Sequence, residues 1–152
     1  MTDSLGRTTS VDVAVEEVIR RPLSVVAAYA SDPSNAPEWY ANISGVEWKT
    51  APPLHVGTKV AFAAHFLGRG LRYTYEVVEH TPTSLVMRTA EGPFPMETSY
   101  RYAPTPEGHT RMTLRNRGNP SGFARLVRPF LTMAMRRANG KDLEALKQHL
   151  EE

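Results

Sequence analysis

Hydrophobic and polar positions alternate along most of this chain, and the period changes only near its ends. Val11, Val13 and Val15 alternate with Asp12, Ala14 and Glu16, which predicts an opening strand from Val11 to Arg20 with one dry face. Pro22 suits the first turn of a helix, where its missing N–H costs nothing, and Leu23, Val26, Ala27 and Ala30 then fall at i, i+3, i+4 and i+7. Ser31-Asp32-Pro33 stops that helix, and Asp32 can cap a second short one running into Trp39 and Tyr40.

Six strands are predicted to follow: Ile43–Thr50, Lys59–Leu67, Leu71–His80, Leu85–Glu91, Met96–Tyr102 and Thr110–Arg117. Gly- and Pro-rich turns separate them, and connections this short imply antiparallel neighbours. Beyond Gly118-Asn119-Pro120 the period becomes helical, with Phe123, Leu126, Val127, Phe130, Leu131, Ala134 and Ala138 on one stripe. Leu143, Leu146 and Leu150 continue the apolar series on another side of the helix.

Pairing the strands across their turns predicts what lies inside. A two-residue turn at Gly68-Arg69 sets Phe66 opposite Leu71, Ala64 opposite Tyr73, Phe62 opposite Tyr75 and Val60 opposite Val77. The next hairpins set Met87 by Thr98, Thr89 by Met96, Tyr100 by Met112, and Thr98 by Leu114, with Glu97 facing Arg115 outside. The sheet's inner face then holds aromatic rings, thioethers, hydroxyls and Asn116, and no carboxylate, imidazole or amine. Phenols on a concave surface need partners, which are each other, water or a ligand.

The order of strand, two short helices, six strands and long helix resembles that of the START-like (SRPBCC) superfamily. The similarity is to its polyketide cyclase/dehydrase-type branch. The residues that carry it are Arg20-Arg21-Pro22, the stretch from Tyr29 to Trp39, and Asp142-Leu143-Glu144-Ala145-Leu146-Lys147 in the last helix. The resemblance implies an α+β helix-grip fold in which a curved antiparallel sheet of about seven strands wraps a long C-terminal helix. It also implies a cavity between sheet and helix that takes an apolar or aromatic molecule, lipid- or polyketide-like, and it transfers no catalytic residue. Residues 11–150 form the single expected domain, behind a flexible segment 1–10. The expected ligand-binding set is Trp39, Phe62, Phe66, Tyr73, Tyr75, Met87, Met96, Tyr100, Met112, Phe130, Met133 and Met135.

Composition narrows the chemistry. With 152 residues, of which 41% are hydrophobic, one domain can bury a core and still enclose a ligand. Cysteine is absent, so disulfides and thiolate sites are excluded; together with a polar N-terminus lacking a leader pattern and no apolar run long enough to span a bilayer, this predicts a cytoplasmic protein. His55, His65, His80, His109 and His149 show no zinc-ligand spacing, and there is no Gly-rich phosphate loop or serine elbow, so no metal and no cofactor are expected. Phenols with an ordinary pKa near 10 are poor bases, which favours binding over catalysis; a cyclase or dehydratase is the rival.

Charge adds a third reading. Between Gly108 and Lys141 there is no acid, and eight basic residues there contribute +8 to a net charge of only +2. Segment 108–141 therefore predicts a weak contact with an anionic membrane surface, or an adaptor's partner face. Nucleic acid is not expected, since Arg125, Arg128 and Arg136 have no aromatic platform among them.

Overall fold

The computed structural model describes residues 11–66, 68–119 and 128–152. The opening strand β1 (Val11–Ile19) buries Val11, Val13 and Ile19 and exposes Asp12, Ala14 and Glu16, as its alternation requires. Pro22 caps α1 (Leu23–Ala30), whose Val26 and Ala30 are buried with Leu23 and Ala27 packed beside them. Asp32 caps the start of the next turn by accepting the Ser34 N–H at 3.0 Å, and this 3-10 turn (Pro33–Asn35) feeds directly into α2 (Ala36–Trp39).

The remaining strands are β2 (Ile43–Trp48), β3 (Lys59–Phe66), β4 (Arg69–Thr81), β5 (Ser84–Glu91), β6 (Met96–Pro104) and β7 (Thr110–Gly118). They form one seven-stranded antiparallel sheet in the order β1-β7-β6-β5-β4-β3-β2. The final helix, α3 (Arg128–Glu151), packs most heavily against β1. This is the helix-grip architecture expected from the element order.

Two hairpins pair two residues away from the expected register. In β3–β4, Phe62 faces Tyr73 and Phe66 faces Arg69, because Gly68 takes a left-handed φ of 76° inside the turn and Arg69 already belongs to the strand. In β6–β7, Thr98 faces Asn116, Tyr100 faces Leu114 and Glu97 faces Arg117, because the strands run on to the Pro104–Thr110 pair and Gly108, at φ 81°, closes a turn from Thr105 to His109 that is two residues shorter than the expected register implies. A slip of two leaves every side chain on its expected face. The β5–β6 register has Met87 opposite Thr98, as expected.

Arginines on the outer sheet face pair with carboxylates on neighbouring strands. Arg115 Nε donates to Asp12 Oδ1 at 2.8 Å, Arg111 to Glu16 at 3.0 Å, and Arg88 and Arg117 share Glu97 at 2.7 and 2.9 Å. The C-terminal end of α3 is clamped as well: Glu151 binds Arg20 at 3.0 Å and Lys147 at 2.7 Å, while Leu143, Leu146 and Leu150 bury themselves in the core.

Candidate ligand cavity

Between the inner sheet face and α3 lies a cavity of about 170 Å³. It exists because small side chains meet there. Ala64 on β3, Gly118 on β7 and Ala138 on α3 stand where larger residues would fill the space.

The wall is mostly apolar and aromatic. Phe62, Tyr73 and Tyr75 form one ring cluster, with centroids 5.4 Å apart for Phe62–Tyr73 and 5.0 Å for Tyr73–Tyr75. Met87, Met96, Leu71, Leu85, Leu131, Met135 and Phe94 complete the oily surface.

Seven of the twelve expected site residues line this cavity: Phe62, Tyr73, Tyr75, Met87, Met96, Tyr100 and Met135. Trp39 does not. It is 2% exposed and packs behind the wall against Tyr40 and Tyr100, at 4.2 and 5.7 Å, so its neighbour Tyr40 supplies the cavity surface instead. Met112 is fully buried in the core beneath the sheet. The Phe66 backbone pairs in β3, and its side chain lies outside the described residues.

Phe130 and Met133 are 72% and 70% exposed. The phase of α3 explains their position. Leu131, Met135, Ala138 and Asp142, spaced i, i+4, i+7 and i+11, face the cavity, and at 100° per residue that stripe leaves Phe130 and Met133 outside. Apolar residues surround this helix near its start, so the stripe there is ambiguous; Leu143 and Leu146 further along fix its rotation. Phe123, Leu126 and Val127 of the expected stripe lie outside the described residues.

Besides Ser31, Asn42, His65 and Arg117, which also contribute to the lining, two hydrogen-bonded polar groups interrupt the apolar wall. In the first, the Tyr75 hydroxyl pairs with Thr98 Oγ1 at 2.8 Å, Thr98 donates to Asn116 Oδ1, and Asn116 Nδ2 donates to Asn139 Oδ1 at 2.9 Å. This chain joins β4, β6 and β7 to α3. Burial pushes the Tyr75 hydroxyl up to about 12, partly offset by the Thr98 hydrogen bond.

The second group was not foreseen. Asp142, only 2% exposed, lines the cavity from α3 and accepts the Ala41 N–H on Oδ1 at 3.1 Å. Burial raises its carboxyl to about 6, opposed by that backbone hydrogen bond. The hydroxyls of Tyr40 and Tyr100 pair at 2.8 Å, and desolvation holds both phenols well above their usual range. The Asp142 charge adds to the shift at Tyr40, so carboxyl and phenols share one electrostatic environment. Tyr73, desolvated and raised in the same way, makes no hydrogen bond among the described residues. Among the described residues no strand contributes a carboxylate to the cavity lining, but the helix supplies one. Its signal in the sequence was spacing: Asp142 stands four residues after Ala138 and four before Leu146.

At neutral pH this arrangement offers a desolvated carboxyl near the point of titration, next to phenols that stay protonated and donate hydrogen bonds. No cluster of metal-ligating side chains occurs among the described residues, and no helix there is long and apolar enough to cross a membrane.

Residues 10–151 match the family model described as polyketide cyclase / dehydrase and lipid transport. No curated protein sequence matches the chain. Among solved structures, a Thermus thermophilus protein superposes with a TM-score of 0.78 at 20% identity, covering 90% of this chain and 94% of that one. The Zhui aromatase/cyclase of a Streptomyces species gives 0.78 at 15% identity, with 93% and 94% covered. A START superfamily protein from Mycobacterium smegmatis gives 0.76 at 13%, with 92% and 97% covered. At such identities the likeness is one of fold.

Proposed function

Since the chain belongs to the polyketide cyclase/dehydrase and lipid-transport family, we propose that it takes up an aromatic or polyketide-like hydrophobic molecule between sheet and helix. The observation that carries this is the cavity of about 170 Å³ walled by Phe62, Tyr73, Tyr75, Met87, Met96, Tyr100 and Met135. Removing apolar ligand surface from water at about 25 cal/mol per Å² drives entry. The unpartnered Tyr73 hydroxyl and the second oxygen of Asp142 select for a ligand with a polar substituent. A cavity of about 150 Å³ is known to accept benzene, so one or two rings fit with little displacement of α3. A longer ligand requires the methionine wall to give.

The test is uptake of a naphthalene-based fluorescent probe, with native mass spectrometry of protein purified from its own host to reveal any retained molecule. Phe62→Ala and Tyr75→Ala variants that keep their circular dichroism should lose probe affinity by tenfold or more. Unchanged affinity in both refutes the reading.

Asp142 favours a second reading, in which the bound molecule is cyclised or dehydrated. Ring closure by carbon–carbon bond formation needs a base to take a proton next to a carbonyl, and donors for the oxyanion that develops. Asp142, near the point of titration at neutral pH, serves as the base, and Tyr40 and Tyr100, held protonated, serve as the donors. A positioned base of this kind contributes roughly 10²–10⁴ in rate. Asp142→Asn separates the readings: a carrier keeps its cargo and its delivery rate, whereas an enzyme keeps its ligand and loses turnover.

A further inference from the structure

The two expected cavity residues that turn outward, Phe130 and Met133, lie on a face of α3 with a charge pattern of its own. Phe130, Met133, Ala134, Arg137 and Lys141 fall at i, i+3, i+4, i+7 and i+11, one side of the helix. Phe130 and Met133 are 72% and 70% exposed, Arg137 and Lys141 are exposed, and Arg136 flanks the stripe. The strand arginines Arg111, Arg115 and Arg117 are engaged by Glu16, Asp12 and Glu97, whereas Arg136, Arg137 and Lys141 make no ion pair or hydrogen bond among the described residues. The first acid on this face is Glu144, a turn beyond Lys141.

We propose that this face of α3 docks on an anionic lipid surface, with Phe130 and Met133 entering the headgroup boundary and Arg136, Arg137 and Lys141 held at the lipid phosphates. The charge and the apolar anchors point to one occupant. Solvent-directed apolar side chains beside unpaired cations, with no acid within the stripe, match a surface that is oily below and negative above. An acidic protein partner would be met by the charges alone and leaves the two anchors unexplained. Leu131 and Met135, each one residue and so 100° round the helix from Phe130 and Ala134, line the cavity, so docking brings that end of the cavity close to the bilayer. The proposal is independent of what the cavity holds and of whether it catalyses.

The experiment is co-sedimentation of the full chain with phosphatidylcholine vesicles, alone or with 30 mol% phosphatidylglycerol, at low and at physiological salt. Binding is expected only with the anionic lipid and should weaken with salt. Each of Arg136→Gln, Arg137→Gln and Lys141→Gln should lower the partition coefficient about fivefold. Phe130→Ser with Met133→Ser should abolish binding at physiological salt, while Phe130→Leu retains it. Arg101→Gln on the outer sheet face is the control and should bind as the parent does. All of these positions are exposed, so unchanged melting temperatures verify folding. Equal binding to neutral and anionic vesicles, or helix-face variants that bind like the control, overturns the proposal; so does a protein that ignores anionic vesicles but binds an acidic protein through the same arginines.

Discussion

Replacing Asp142 by asparagine should make the protein more stable at neutral pH, although it alters a buried, hydrogen-bonded side chain. Burial lifts the carboxyl from 3.8 in the unfolded chain to about 6 in the fold. Well below pH 4 both states hold the proton and the group contributes nothing. Between pH 4 and 6 the unfolded chain ionises first, so stability falls as pH rises. Above pH 6 both are ionised and the fold carries the whole cost of the buried charge. A shift of about two pH units at 1.36 kcal/mol each amounts to about 3 kcal/mol. The asparagine Oδ1 still accepts the Ala41 N–H, and any penalty intrinsic to the amide is the same at every pH. Urea titrations of parent and variant at pH 4, 5, 6 and 7.5 therefore test the reasoning through the difference between them. That difference should grow in the variant's favour by about 2.5 kcal/mol from pH 4 to pH 7.5, because the unfolded carboxyl is already partly ionised at pH 4. A difference that stays flat, or that grows in favour of the parent, refutes the assignment of a desolvated carboxylate at this site.

Three further outcomes follow from the packing. Met112→Ala, in a fully buried position off the cavity wall, should cost about 2–5 kcal/mol in denaturant titration while changing probe affinity in the folded protein less than threefold. Thr98→Val removes the middle of the chain from Tyr75 to Asn116 and should cost about 1–3 kcal/mol by the same measurement, since two buried polar groups lose a partner. Glu151, whose carboxyl is held down to about 2 by Lys147, the Arg20 backbone N–H and the Arg20 side chain, stabilises the fold above its unfolded value of 4.5 and loses that contribution as pH falls toward 2. Glu151→Gln should accordingly lower stability by under about 1 kcal/mol at pH 7, and by nothing at pH 2, in thermal melts.

The sheet was legible because alternation survives errors of register. Phe62 and Tyr73 were expected two positions out of step, yet both still faced inward, since an even slip preserves the face. What misled the pairing was the turn, where Gly68 and Gly108 set loop lengths that composition alone does not specify. The helix was harder to orient. Near its start apolar residues point in several directions, so Phe130 and Met133 fitted an inward stripe as well as Leu131 did. Asp142 was overlooked because it sits among Lys141, Glu144 and Lys147, where a charge suggests a solvated side. Only its spacing from Ala138 and Leu146 separates it from them. The helix continues through Asn139-Gly140 without interruption, and Asn139 is the residue that the sheet holds.

The tether from Asn116 to Asn139 divides the mechanics of the final helix. On its C-terminal side, buried leucines and the Arg20–Glu151–Lys147 ion pairs fasten the helix to the sheet. On the other side Leu131 and Met135 meet mainly the hollow and the start of the first strand. A guest larger than the resting space is therefore accommodated most cheaply by tilting the leading turns about Asn139 as a fulcrum, with the trailing turns held fast. Gly140, one position on, stands next to that pivot.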